Sequence, residues 1–317
     1  MMKCIFCIYL SLLSVVYLTA AHASGYYPNG YYTPVYTGYY AAYYPYGRPQ
    51  YYQNEKTISQ NNKKSSLNDT VKKDKAAAIS TQTNAKKKQQ ANRKSQFIDK
   101  VLPLIIKSNQ ELTQLRIKII QVSGDAKSFE QLSVDNQKWL KRLAMRYKVY
   151  QKKSDFLTIK KELLNRVNTV DPALALAQAA LESGWGSSRF TREANNIFGI
   201  WTYDESKGLV PKNRDPNKKH FVRVFADLED SVSHYMYNLN THSAYEKFRN
   251  IRALQGYIYS EKPTFLQLDG LEKYSELGQE YLKRLKKVIE YNKLVKISQN
   301  YIDKLNKLNG LALSSSN

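Results

Sequence analysis

One carboxylate, Glu182, stands at the end of a run of apolar residues, and this setting predicts a side chain that can donate a proton. Burial disfavours an ionised carboxylate, and so does the negative end of a helix, so both raise its pKa. A carboxylic acid that is still protonated near neutral pH is what a general acid needs to protonate a leaving oxygen. The alternative is a buried structural glutamate in a salt bridge, because ion pairs also perturb carboxylates.

The element that must position this carboxylate is a helix with clear start and stop signals. Asp171 is a good N-cap, and Pro172 fits the first helical position, where its missing N–H costs nothing. Residues 173–181 are apolar except for Gln178, which predicts a helix buried on every side. Gly184 can adopt the left-handed conformation that ends a helix.

The elements around this helix are mainly further helices. Apolar residues recur at helical spacing before and after it, and two strand-like runs, Asn196–Tyr203 and His220–Phe225, lie between the two groups. The link between these runs is turn-rich, which predicts a small antiparallel lobe inserted between helices. The predicted fold class is α+β, mainly α, with the carboxylate at the edge between a helical body and the β lobe. Such an edge suits a groove for a long polymer.

The N-terminus predicts export. Residues 1–23 contain Lys3, an apolar run and the small-residue site Ala21-His22-Ala23, which is typical of a cleaved secretory signal peptide. A transmembrane anchor is the alternative, although the apolar run is short for one. Both cysteines, Cys4 and Cys7, lie in this segment, so the mature protein is expected to lack disulfides and thiol nucleophiles. The expected location is the periplasm or the cell envelope.

Residues 24–95 have the composition of a disordered arm. Twelve tyrosines fall within residues 26–52, and residues 54–100 hold 12 Lys and Arg against 4 Asp and Glu, a net +8. We interpret this region as a Tyr-rich segment followed by a flexible basic linker, ahead of a folded domain at 96–297 and a tail at 298–317. The net charge of the whole sequence is +22. Because no nucleic-acid module accompanies it, the charge favours peripheral contact with an anionic envelope over nucleic acid.

Metal and cofactor chemistry has no support in the sequence. His220, His234 and His242 show no familiar metal-ligand spacing, and no His-based hydrolytic triad has a motif. We therefore predict neither a metal nor a cofactor.

Several motifs in order resemble one family. These are Ala177-Gln-Ala-Ala-Leu-Glu182-Ser-Gly-Trp-Gly, Asn195-Asn-Ile-Phe-Gly-Ile-Trp201, the run from Ser231 to Tyr245, and Leu271-Glu-Lys-Tyr274-Ser-Glu-Leu-Gly-Gln-Glu-Tyr281. Together they resemble the Bax-like branch of the glucosaminidase family, whose relatives include flagellar peptidoglycan hydrolases and autolysins. The resemblance covers residues 171–292. It implies a lysozyme-like fold and cleavage of the β-1,4 bond after N-acetylglucosamine in peptidoglycan glycan strands.

The resemblance also implies roles for single residues. Glu182 matches the general acid, and Tyr274 matches a tyrosine that lines the cleft opposite the acid, where it would steady the reacting sugar or its N-acetyl group. The alternative for Tyr274 is an aromatic residue that packs. Asn195 and Asn196 would shape the cleft or cap its turn. Two aromatic residues would either contact sugars or pack: Trp201 and Tyr235.

A second catalytic carboxylate is missing from its usual place. Many relatives carry a second glutamate in the β lobe, whereas this lobe offers Asp204, Glu205 and Asp215, none of them in a recognisable motif. Two mechanisms therefore stay open: a pair of carboxylates, or assistance by the N-acetyl group of the sugar itself. A muramidase or lytic transglycosylase on the same fold and a non-catalytic wall-binding protein are the alternative functions.

Overall fold

A computed structural model of the protein describes residues 69–149, 155–211, 214, 219–255 and 263–314. The predicted signal segment, the Tyr-rich segment and the first part of the basic linker lie outside the described residues. So does Asp215, one of the candidate carboxylates.

The first described element is a long helix, α1, at Asp69–Ser123. It corrects our prediction that residues up to 95 form a flexible linker, because residues 69–95 are helical. Lys, Ala and Gln are good helix formers, and this propensity outweighed the polar composition on which the linker prediction rested. The helix is exposed over residues 82–92, and from Phe97 onward its apolar side chains enter the core.

Four shorter helices follow, each begun by a side chain that accepts a backbone N–H. They are α2 at Val134–Arg146, α3 at Phe156–Arg166, α4 at Pro172–Ser183 and α5 at Arg189–Ala194. Ser133, Asp155, Asp171 and Ser188 are the respective N-caps. Such caps satisfy amide groups that a helix leaves without an internal partner, so these boundaries are encoded locally.

The β lobe is a three-stranded antiparallel sheet with the order β1-β3-β2. Its strands are β1 at Trp201–Thr202, β2 at Gly208–Leu209 and β3 at Phe221–Arg223. Trp201 pairs with Val222, and Leu209 pairs with the same residue from the other side. The predicted antiparallel pairing of the two runs is confirmed, while β2 lies inside the stretch that we predicted to be a turn-rich link.

Helices then resume to the end of the described chain. They are α6 at Leu228–Thr241, α7 at Glu246–Gln255, α8 at Pro263–Leu268, α9 at Gln279–Tyr291 and α10 at Leu294–Ser314. A 3-10 helix at Asp269–Tyr274 joins α8 to α9. The predicted tail at 298–317 is therefore helical up to Ser314. Ser298 is buried, so the packed body extends beyond the predicted limit of 297.

Helix α4 is the centre of the body, with α1, α9 and α10 packed against it. The expected fold class, mainly helical α+β with a small β lobe, is confirmed. Across the described ranges, no helix is both long and apolar enough to cross a membrane.

Candidate active site

Helix α4 delivers Glu182 to the edge of the core. The Asp171 carboxylate accepts the N–H of Leu174 at 3.0 Å, Pro172 occupies the first turn, and Gly184 ends the helix in the left-handed conformation at φ 59°. Residues 173–180 are all buried, whereas Glu182 is half-buried. These findings confirm the predicted caps and the predicted buried helix.

The surroundings of Glu182 raise the pKa of its carboxyl above the usual value. Burial raises the pKa of its carboxyl to about 7, and a hydrogen bond with the hydroxyl of Tyr281 acts in the opposite direction. The predicted upward shift is confirmed, with burial as its main cause. Near neutral pH the carboxyl is therefore divided between its protonated and ionised forms, which suits a group that must give up a proton.

A hydrogen-bond network of four side chains leads to this carboxyl. The Tyr235 hydroxyl donates to Oε1 of Gln178 at 2.6 Å, and Nε2 of Gln178 donates to the Tyr281 hydroxyl at 3.0 Å. The Tyr281 hydroxyl in turn is bonded to Glu182. We call these four residues the Gln178 network. It joins α4, α6 and α9, and it satisfies an amide that is fully buried.

Tyr274 lies beside the network, with its hydroxyl directed elsewhere. Its ring stacks on that of Tyr281 with 5.6 Å between centroids, and its hydroxyl donates to the backbone carbonyl of Phe198 at 2.9 Å. The side chain is 4% exposed. The structure thus places Tyr281 against the acid, whereas Tyr274 supports Tyr281 and anchors the start of the β lobe. A direct catalytic role for Tyr274 stays a prediction.

Tyr235 packs inside the body. It has no exposed surface, and its ring stacks on Phe198 at 3.9 Å with an angle of 7° between the ring planes. Of the two roles considered for it, this placement favours packing over contact with a sugar.

The paired asparagines hold the turn that leads into the β lobe. Asn195 ends α5 at φ 50°, and its amide donates to the carbonyls of Phe225 and Ala226. Asn196, 2% exposed, donates to the carbonyls of Ile200 and Arg223 and accepts the N–H of Ile200. Because their amides are used in this way, both residues shape the site through the backbone.

Trp201 is the predicted sugar-contact residue that keeps partial exposure. It lies on β1, and its ring meets that of His220 edge-on at 4.4 Å between centroids. The neighbouring Tyr203 is 64% exposed. These two side chains are the aromatic surfaces that the lobe offers after the acid.

The carboxylates of the lobe differ in availability. Asp204 accepts from the N–H and hydroxyl of Ser206 and pairs with Lys207 at 2.9 Å, and these contacts hold its pKa below the usual value. Glu205 is exposed on a 3-10 helix at Glu205–Lys207. Within the part of the chain that the structure describes, no group of three His, Cys, Asp or Glu side chains could hold a metal ion.

Helix α1 completes the region behind the acid. The ring of Phe97 meets that of Trp185 edge-on at 5.8 Å, and Nζ of Lys94 lies 4.9 Å above the Trp185 ring. Gly186 has a φ of 76°, which L side chains rarely adopt, and a Cβ there would lie 3.0 Å from the ring of Phe97, so both features favour glycine.

Sequence reasoning missed two residues of the site, Gln178 and Tyr281. A signal existed for both. Gln178 interrupts an otherwise apolar helix with a polar side chain and lies one helical turn before Glu182. Tyr281 follows Tyr274 by seven residues, a spacing that corresponds to two helical turns. Neither signal shows which partner the side chain meets, because that depends on how α4, α6 and α9 pack.

Residues 158–308 match the model of the glucosaminidase family, described as mannosyl-glycoprotein endo-beta-N-acetylglucosaminidase. The chain is 33% identical over 190 residues to Protein bax of Escherichia coli, a match covering 60% of this chain and 66% of that protein. It is 32% identical over 149 residues to Peptidoglycan hydrolase FlgJ of Salmonella typhimurium, covering 43% of this chain and 42% of FlgJ. The matches thus leave about a third of Protein bax and more than half of FlgJ unspanned.

Two solved structures are also similar. The glycoside hydrolase domain of Salmonella typhimurium FlgJ matches with a TM-score of 0.29 and 22% identity, over 49% of this chain and 96% of the domain. The catalytic domain of the autolysin Auto from Listeria monocytogenes matches with a TM-score of 0.31 and 18% identity, over 58% of this chain and 96% of that domain.

Proposed function

We propose that this chain, which belongs to the glucosaminidase family through residues 158–308, is a peptidoglycan glycosidase that cleaves the β-1,4 bond after N-acetylglucosamine. The observation that carries the proposal is Glu182, a carboxyl at the edge of the core whose pKa burial raises to about 7. It lies within the residues that match the family. The name of the relative FlgJ supports peptidoglycan as the substrate.

In the proposed reaction, Glu182 acts first as a general acid. Its protonated carboxyl donates to the glycosidic oxygen as the bond to the sugar carbon breaks. The carboxylate that remains accepts a hydrogen bond from Tyr281, which offsets part of the cost of a charge in a buried setting. A general acid contributes roughly 10²- to 10⁴-fold to such a reaction.

The second group supplies the new bond at the sugar carbon, either directly or through a water that it activates, and the candidates are Glu205, Asp215 and the N-acetyl oxygen of the substrate. Asp204 is a poor candidate because Ser206 and Lys207 engage both of its carboxylate oxygens. Glu205→Gln and Asp215→Asn separate these possibilities. Loss of cleavage in one variant assigns the role to that residue, whereas retained cleavage in both supports assistance by the substrate.

We also propose that the protein is exported and acts in the cell envelope. The signal-like composition of residues 1–23 supports export. The net charge of +22 supports peripheral contact with anionic envelope polymers, to which the basic segment before the domain would contribute.

Digestion of purified cell-wall sacculi tests the proposed function. We expect the whole chain to release soluble glycan fragments and Glu182→Gln to lose at least about 100-fold of that activity while keeping its circular dichroism spectrum. Glu193→Gln is the matched control, since Glu193 is an exposed glutamate that pairs with Arg189 on α5. Equal activity of the Glu182→Gln variant and the wild type would remove Glu182 from the mechanism.

A further inference from the structure

Gln178 is a polar residue, yet it is fully buried among the mainly apolar residues of α4. Burying an amide costs free energy unless both of its ends find hydrogen-bond partners. Here Oε1 accepts from Tyr235 at 2.6 Å and Nε2 donates to Tyr281 at 3.0 Å. A buried glutamine held at both ends has one orientation, and that orientation decides what Tyr281 can do.

The direction of each hydrogen bond follows from the groups involved. An amide nitrogen only donates, so the Tyr281 oxygen accepts from Gln178. The single proton of the Tyr281 hydroxyl is then directed away from Gln178, and a hydrogen bond from this hydroxyl lowers the pKa of the Glu182 carboxyl. Gln178 and Glu182 are four residues apart on α4, which places them on one face of the helix where both reach the same hydroxyl.

We propose that Gln178 is a positioning residue. By donating to the oxygen of Tyr281, it keeps the tyrosine O–H directed at Glu182, and this hydrogen bond stabilises the carboxylate left after proton donation. The inference rests on the proposed function, in which Glu182 is the general acid. Tyr235 contributes to the same positioning, because its hydroxyl donates a hydrogen bond to the amide oxygen of Gln178. If the amide turned over, its oxygen would face Tyr281 and compete with Glu182 for the tyrosine proton.

The elements packed against α4 carry several charged or polar side chains, most of them bonded to other groups or exposed. On α4, Asp171 lies at the opposite end of the helix and acts on Tyr235. On α1, Lys94 lies above Trp185 and is bonded to Asn292. The Arg284–Glu280 pair of α9 is exposed. Helix α10 contributes the exposed Asp303, bonded to Gln299, and α8 contributes the uncharged Thr264, bonded to Asp171.

The experiment is a carboxyl titration of Glu182 by NMR on the whole chain labelled with ¹³C at the glutamate side-chain carboxyl. Glu182→Gln assigns the signal. We expect Gln178→Met to raise the pKa of Glu182 by about half a unit to one unit, and Tyr281→Phe to raise it by at least as much, since Tyr281→Phe removes the hydrogen bond to the carboxylate altogether. The double variant should match Tyr281→Phe alone, because Gln178 acts through Tyr281.

Two further variants keep the test decisive. Tyr237→Phe is the control, since Tyr237 lies on the same helix as Tyr235 and its hydroxyl donates to the carbonyl of Arg146; it should leave the titration of Glu182 unchanged. Tyr235→Phe keeps Gln178 in place but frees its oxygen, and should raise the pKa of Glu182 by less than Tyr281→Phe. This variant decides the question if Gln178→Met does not fold.

An unchanged pKa in both Gln178→Met and Tyr235→Phe would overturn the proposal, and so would shifts in the double variant that add. The titration uses no substrate, so its outcome is independent of the sacculus assay. If Glu182→Gln still cuts sacculi, the proposed function fails while the titration still reports on the network. If Glu182→Gln is inactive and both Gln178→Met and Tyr235→Phe leave the pKa of Glu182 unchanged, the positioning role alone fails.

Discussion

The ring of Tyr274 stacks on the ring of Tyr281, with 5.6 Å between centroids and 12° between planes. This relationship links the tyrosine that the sequence motif indicates to the tyrosine that contacts the acid. The hydroxyl of Tyr274 is held by the backbone of Phe198, while that of Tyr281 is bonded to Glu182. The motif around Tyr274 therefore acts on Glu182 indirectly, because the ring of Tyr274 fixes the position of Tyr281.

The first prediction concerns the pH dependence of cleavage. A general acid must be protonated in the free enzyme, and burial raises the pKa of Glu182 to about 7. We expect kcat/KM on a soluble peptidoglycan fragment to fall as the pH rises through this value, by tenfold per unit above it. The measurement is a pH profile between 5 and 9. A plateau that extends unchanged to pH 9 would contradict the assignment of Glu182.

The second prediction concerns stability. The folded-state pKa of Glu182 lies above the reference value of 4.5, so the folded state binds more protons than the unfolded state between these two values. Wild-type stability should therefore fall from pH 4 to pH 8 relative to Glu182→Gln, by up to about 3 kcal/mol, reduced by solvent that reaches the half-buried side chain. Urea unfolding of both proteins at pH 4 and pH 8 measures this. A stability difference that is the same at both pH values would count against the raised pKa.

The third prediction separates support of the fold from sugar contact at Asn196. Its amide bonds the carbonyls of Ile200 and Arg223, and an aspartate at this position could not donate to either. We expect Asn196→Asp to lose about 1–3 kcal/mol of unfolding free energy, since the part-buried carbonyls of Ile200 and Arg223 each lose a donor, and that of Ile200 keeps the N–H of Arg223. Chemical denaturation provides the measurement. A variant with full stability and a raised KM would instead assign Asn196 to the substrate.

The fourth prediction concerns Gly270, in the 3-10 helix that carries Tyr274. A Cβ at this position would lie 2.3 Å from Cα of Phe248, a backbone atom that cannot move alone. We expect Gly270→Ala to lose about 3 kcal/mol or more. Gly124→Ala is the control, because a Cβ at Gly124 meets nothing within 4 Å and costs only the strain of a positive φ, about 1 kcal/mol. Equal losses in the two variants would mean that this contact is unimportant.

The parts of the fold that were predictable are those encoded by neighbouring residues. Helix α4 was predicted from Asp171 to Gly184 because its caps and its buried composition lie within one short stretch. Helix α1 was only partly predicted. Its residues 69–95 have helix-forming side chains without an apolar face, so the pattern indicated a linker.

The unpredicted parts depend on distant partners. Strand β2 has two residues, and it is a strand only because β3 pairs with it. In the same way, Gln178 and Tyr281 are 103 residues apart and meet through the packing of α4 with α9. The acid itself was predictable from its helix, whereas the network that controls its proton was not.

The most direct test of the account is mass spectrometry of the fragments released from sacculi by the wild type and by Glu182→Gln. We expect the wild type to leave reducing N-acetylglucosamine ends and the variant to release almost none. Reducing or 1,6-anhydro muramic ends would contradict the proposed bond specificity. Undiminished release by Glu182→Gln would contradict the central role of Glu182.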